Sequence, residues 1–74
     1  MGMKINYDEF GNRYYSVPKE FVSSGKEIKV YMPYGAKVPY PYSVSVGSIN
    51  DIESMIALSP EGIKELIEAL VRVL

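Results

Sequence analysis

The chain has 74 residues, a formal net charge of −1, and neither cysteine nor histidine. A fold of this length is one domain and buries only about 60% of the surface that its unfolded chain exposes. Disulfide bonds and structural zinc sites are excluded, because their usual ligands and partners are missing. We therefore expect residues 1–74 to form a single domain whose core is completed by packing or by another chain.

The hydropathy pattern predicts no contact with a membrane. The longest apolar run is far shorter than the about 18 residues that a membrane span needs. The first residues, Met1 to Lys4, lack the charged and then apolar layout of a signal peptide. The expectation is a soluble, cytoplasmic protein, and the lack of glutamine beside many Glu and Lys residues suits a thermophilic source.

Alternating apolar and polar residues predict four to five short strands. The predicted strands cover residues 3–8, 13–17, 27–32, 42–46 and 52–58. In the clearest of them, Tyr42, Val44 and Val46 are predicted to face the core, while Ser43 and Ser45 point to the other side. Turn residues separate the strands closely, so that a mostly antiparallel meander is expected.

The segment 60–74 is predicted to be an amphipathic helix that starts with the N-cap Ser59 and with Pro60. Its apolar residues fill an arc of roughly 200°, which is wider than one sheet face requires. We therefore predict a homodimer in which the helix also contacts a second copy. The predicted interface residues are Leu66, Ala69, Leu70, Val73 and Leu74. The expected fold class is α+β, with the helix packed on one face of the sheet.

Residue types for catalysis are few. The absence of His and Cys removes the most common general base and the thiolate nucleophile. Asp51 and Glu53 are interpreted as solvated turn charges, and residues 23–26 lack the spacing of a phosphate-binding loop. We expect no enzyme activity, no cofactor and no metal site.

A stretch rich in tyrosine and proline spans residues 31–44. Tyrosine presents a large rigid surface at little entropic cost, so Tyr31, Tyr34 and Tyr40 are candidates for binding a protein partner. In this interpretation Tyr31 lies on the outer face of its strand. The alternative is a stiff connector in which the prolines prevent pairing of an edge strand.

The leading hypothesis is a small non-enzymatic protein-interaction or regulatory module that acts as a homodimer. The alternative is a nucleic-acid-binding protein in which lysines and tyrosines of the sheet contact phosphates and bases. The residues available for that alternative are Lys4, Arg13, Lys26, Lys29, Lys37, Tyr14, Tyr15 and Tyr31. It is the less favoured hypothesis, because these basic residues are scattered among acidic ones and do not form a concentrated patch.

Overall fold

The computed structural model of the chain describes residues 3–33, 35, 37–47 and 54–74. Five strands form one antiparallel sheet in which each strand pairs with its neighbours in sequence. The strands are β1 (Asn6–Tyr7), β2 (Arg13–Val17), β3 (Ile28–Tyr31), β4 (Tyr42–Val46) and β5 (Met55–Leu58), and helix α1 (Pro60–Val73) follows them. The predicted α+β fold, a meander with one C-terminal helix, is confirmed.

The strand boundaries agree with the prediction most closely in the middle of the sheet. Strands β2 and β4 have the predicted bounds, and β3 is one residue shorter at each end. Strand β1 has two residues instead of six, because Asp8 closes the following turn. The predicted residues 52 and 53 of the last strand lie outside the described residues. Helix α1 ends at Val73, and Leu74 is its C-cap.

The turn between β1 and β2 is organised by the carboxylate of Asp8. Its Oδ1 accepts hydrogen bonds from the backbone N–H groups of Phe10 and Asn12, at 2.9 and 2.8 Å. Its Oδ2 accepts one from Asn12 Nδ2 at 3.1 Å. Burial alone would raise the pKa of Asp8, but the hydrogen bonds from Asn12 and Phe10 outweigh it, so the pKa lies below its usual value. Gly11, with a φ of 82°, supplies the left-handed conformation that this turn requires.

The strand register divides the side chains between two faces of the sheet, because directly opposite residues of antiparallel strands point to the same side. The apolar face consists of Tyr15, Val17, Ile28, Val30, Tyr42, Val44, Val46, Ile56 and Leu58. The polar face consists of Asn6, Tyr14, Ser16, Lys29, Tyr31, Ser43, Ser45, Met55 and Ala57. The predicted alternation of the strands is therefore confirmed.

The burial of the two faces is the reverse of the prediction. No residue of the apolar face is buried, whereas Tyr14, Tyr31 and Ser45 of the polar face have exposed fractions of only 9%, 6% and 0%. The expectation that Val44 faces an enclosed core and Ser45 faces outward is wrong for the single chain. The physical reason is that the main contact of α1 with the sheet is at the edge strand β5, and not at the central strands.

Helix α1 starts as predicted and then extends away from the sheet. Ser59 Oγ accepts a hydrogen bond from the Gly62 backbone N–H at 3.0 Å, which caps the helix. Exposure increases along the helix, from half-buried Ile63 and Leu66 to a Val73 that is 87% exposed, and no residue of α1 is buried. Among the described residues, no helix is both long and apolar enough to cross a membrane.

Candidate interaction surface

Apolar side chains, which a small domain normally encloses, are exposed or only half-buried in two regions of the chain. The first is the apolar face of the sheet, where Val30 and Val44 are half-buried and Ile56 is exposed. The second is the apolar side of α1, where the exposed large residues are Ile67, Leu70, Val71, Val73 and Leu74. We refer to these two regions together as the open apolar surface.

Three of the predicted dimer-interface residues, Leu70, Val73 and Leu74, belong to this surface. Of the other two, Ala69 is exposed and Leu66 is half-buried. The structure holds a single chain, so their role in a dimer remains a prediction. The apolar sheet face was not assigned to an interface from the sequence. The sequence feature that indicates this face is the number of apolar residues predicted to point inward on β2 to β5. That number exceeds what one helix at the edge of the sheet covers.

The total accessible area measures how much surface is left open. The chain exposes 6028 Å², whereas a folded monomer of 8.3 kDa exposes about 4,600 Å². The radius of gyration, 12.6 Å, also exceeds the about 11 Å of a compact domain of this length. The excess of about 1,400 Å² per chain is larger than the about 800 Å² that each partner buries in a standard interface.

The polar face contains a network whose members contact one another. The rings of Tyr14 and Tyr31 have centroids 5.3 Å apart and are tilted by 46°. Lys29 Nζ lies 5.0 Å from the centroid of the Tyr14 ring and 4.0 Å from Glu27 Oε1. The Ser16 hydroxyl donates a hydrogen bond to the same Glu27 carboxylate. The lysine charge is thus compensated by a carboxylate and an aromatic face, which is a stabilising arrangement.

The buried hydroxyl of Ser45 has no hydrogen-bonding partner in the described part of the chain, and the buried hydroxyl of Tyr31 interacts with the Asp8 carboxylate. Burial raises the pKa of Tyr31, and the negative charge of Asp8 acts in the same direction. Tyr31 is therefore a neutral, enclosed side chain at physiological pH. Tyr31 therefore contributes to packing within the chain and not to a binding surface, because it presents almost no surface to a partner.

The three tyrosines that were predicted to bind a partner have different outcomes. The prediction that Tyr31 presents its ring at the surface is wrong, because its ring packs against Tyr14 in the enclosed polar face. Tyr34 lies outside the described residues. Tyr40 is 62% exposed and follows the exposed Pro39, so it stays available for contact.

Several of the residues considered for nucleic-acid binding are enclosed, engaged with other side chains or on opposite faces of the sheet. Tyr14 and Tyr31 are buried, which removes two of the three candidate rings from base stacking. The ammonium of Lys29 is engaged with Tyr14 and Glu27. Arg13 pairs with Tyr7 in the sheet and points to the side opposite Lys29.

Two open clefts lie near the ends of the polar face. The larger, with a volume of about 580 Å³, is lined by Lys4 and Lys19 but also by Glu20 and Glu27. The smaller, about 440 Å³, lies at the end of β2 and β3 near Arg13 and Ser43. Within the described ranges there is no group of three or more residues with metal-ligating side chains. The carboxylates of residues 51 and 53 lie outside those ranges.

No protein-family model, no curated protein sequence and no solved structure matches this chain. The case for a function therefore rests on the chemistry and geometry of the chain itself.

Proposed function

We propose that this protein is a non-enzymatic interaction module that acts as a homodimer, with the open apolar surface of each copy covered by the other. The observation that supports it is the accessible area of 6028 Å² for 74 residues. Two copies that each covered the excess would bury about 2,800 Å² in total, which lies in the range of obligate homodimers. Such interfaces resemble a domain core divided between two chains.

A second copy of the chain is suited to cover the open apolar surface, because this surface is apolar and one chain carries both of its parts. The helix provides an exposed apolar side and the sheet provides an apolar face, so one chain carries both halves of a pair that a second copy can cover. A contiguous exposed apolar surface of more than several hundred square ångströms is unusual in a monomer and marks an interaction site. The absence of His and Cys from the chain and the engagement of Lys29 and Glu27 with each other support a non-enzymatic role.

A further protein partner would contact the exposed loop around Tyr40, because Tyr31 is enclosed. Tyrosines at a surface contribute strongly to interfaces when the rest of the contact excludes water. The homodimer is the basis for such a contact, since it completes the fold that holds the loop.

The experiment is sedimentation equilibrium with light scattering at protein concentrations from about 1 to 100 µM, where a dimer is concentration-dependent. We expect the mass of two chains at the upper end, with little change when salt is raised, because apolar contacts are not screened. The matched variants are Leu70→Glu, on the open apolar surface, and Lys64→Glu, on the polar side of the same helix. Leu70→Glu should lose the dimer, and Lys64→Glu should keep it.

A wild-type chain that is folded and monomeric at about 100 µM would contradict the proposal. A Leu70→Glu chain that unfolds agrees with it, provided that Lys64→Glu stays folded and dimeric, since an obligate dimer has no stable monomer. If the charged variant is both folded and dimeric, Leu70 is not at the interface. Recovery of nucleic acid with the purified chain, released steeply by salt, would instead favour the phosphate-binding alternative.

A further inference from the structure

We propose that the dimer is reciprocal: helix α1 of each copy lies across the apolar sheet face of the other copy, and not against its twin helix. This inference rests on the proposed homodimer and specifies its geometry. It assigns one binding surface, the apolar face of β2 to β5, to one occupant, the C-terminal helix of a second copy.

Helix α1 does not cover the apolar face of its own sheet. A single residue, Ser59, separates the end of β5 at Leu58 from the start of α1 at Pro60. Loops that return a helix onto the face of its own sheet usually have two to six residues. Ser59 is extended, with φ −71° and ψ 166°, and it is fixed by its hydrogen bond from Gly62. The helix consequently begins directly at the end of the edge strand β5, and its later turns are exposed.

The apolar face of the sheet and the helix match in size. A helix of 14 residues is about 21 Å long and about 10 Å wide. The apolar face spans four strands, about 14 Å, and three rows of side chains, also about 14 Å, so its diagonal is close to the length of the helix. The central row of this face consists of Tyr15, Val30, Val44 and Ile56.

The apolar side chains of α1 differ in exposure along the helix. Ile63 and Leu66, near its start, are half-buried, whereas Ile67, Leu70 and Val71 are exposed. The later part of the apolar arc is thus free to contact another sheet. A partner sheet placed beyond the edge strand β5 meets this part directly.

The test uses the absence of native cysteine, which makes each introduced thiol unique. Val44→Cys marks the centre of the apolar face, and Leu70→Cys marks the helix. The two single variants are unfolded together, refolded as an equimolar mixture and treated with a short bismaleimide, and the products are identified by mass spectrometry. Lys64→Cys, on the polar side of the helix, replaces Leu70→Cys in the control mixture.

The expected result is a covalent heterodimer that joins position 44 of one chain to position 70 of the other, with far less product for the control mixture. Cross-linking of Leu70→Cys with itself, without the heterodimer, would establish paired helices and overturn the reciprocal geometry while leaving the homodimer intact. A chain carrying both cysteines that cross-links within a single chain would overturn it too. The reciprocal geometry would also be overturned if light scattering showed dimers in the mixture and no product joined position 44 to position 70.

Discussion

Val44 and Ser45 are adjacent in β4, yet the serine is completely enclosed while the valine remains half-buried. Ser45 lies between Lys29 and Met55 on the polar face, and Val44 lies between Val30 and Ile56 on the apolar face. The buried side chains of the described strands, Tyr14, Tyr31 and Ser45, thus lie on the face that carries the polar groups. This distribution of burial leaves the apolar side chains of the sheet only half-buried, and it is an observation that supports the proposed homodimer.

The buried hydroxyl of Ser45 leads to a prediction for stability. Ser45 Oγ has no hydrogen-bonding partner among the described residues, and an unsatisfied buried hydroxyl costs about 1–3 kcal/mol. Ser45→Ala removes this cost and leaves only a small void, so we expect a free energy of unfolding that is unchanged or higher by up to about 1 kcal/mol. Urea denaturation measures it. Ser43→Ala, on the same face of β4 but less enclosed, is the control and should change little.

A loss of more than about 1 kcal/mol in Ser45→Ala would mean that the hydroxyl makes a hydrogen bond in solution. In that case the buried hydroxyl of Ser45 would be part of a hydrogen-bonded network on the polar face.

The buried ring of Tyr31 predicts a loss of stability at high pH. Its folded-state pKa is raised above 10.0 by burial, so the unfolded chain loses this proton first as the pH increases. The folded state is then disfavoured progressively from pH 10 up to the raised value. We expect the free energy of unfolding to decrease over this interval, and to decrease less in Tyr31→Phe. Denaturant titrations on both sides of pH 10 measure the difference.

Tyr40→Phe is the matched control for this prediction, because Tyr40 is exposed. It should follow the wild-type curve. Equal pH profiles for the wild type and for Tyr31→Phe would contradict the enclosure of the Tyr31 hydroxyl.

The turn carboxylate Asp8 predicts the opposite dependence, at low pH. Its pKa is lowered from 3.8 by hydrogen bonds from Asn12 and Phe10, so the ionised form stabilises the fold above that value. The stabilisation is lost as the pH falls through 3.8 towards the lowered pKa. We expect Asp8→Ala to have a lower Tm than the wild type at neutral pH, with a gap that narrows in acid. Thermal unfolding followed by circular dichroism measures both values.

Glu9→Ala is the comparison for Asp8→Ala, since Glu9 is the adjacent exposed carboxylate. Its Tm should stay near that of the wild type at each pH. If the Tm difference for Asp8→Ala were constant with pH, the turn would not depend on the ionised carboxylate.

The sequence by itself determined the local elements of this protein. A period of two in β2 and β4 and a strong N-cap at Ser59 specify strands and a helix through nearest-neighbour sterics and hydrogen bonding, which need no distant contacts. The division of residues between the two faces of the sheet follows from the same period, and it was predicted correctly for Val44 and Ser45.

Only the tertiary structure decided which face is enclosed and which tyrosine reaches the surface. The alternation of apolar and polar residues in a strand predicts that the two faces of the sheet differ. It does not predict which face is buried, because burial depends on where helix α1 lies. The position of α1 depends in turn on the one-residue connection at Ser59. Tyr31 is enclosed because β3 lies at the centre of the sheet and its ring meets Tyr14 from the neighbouring strand. Contacts of this kind join residues that are far apart in the sequence, so the period of a single strand does not contain them.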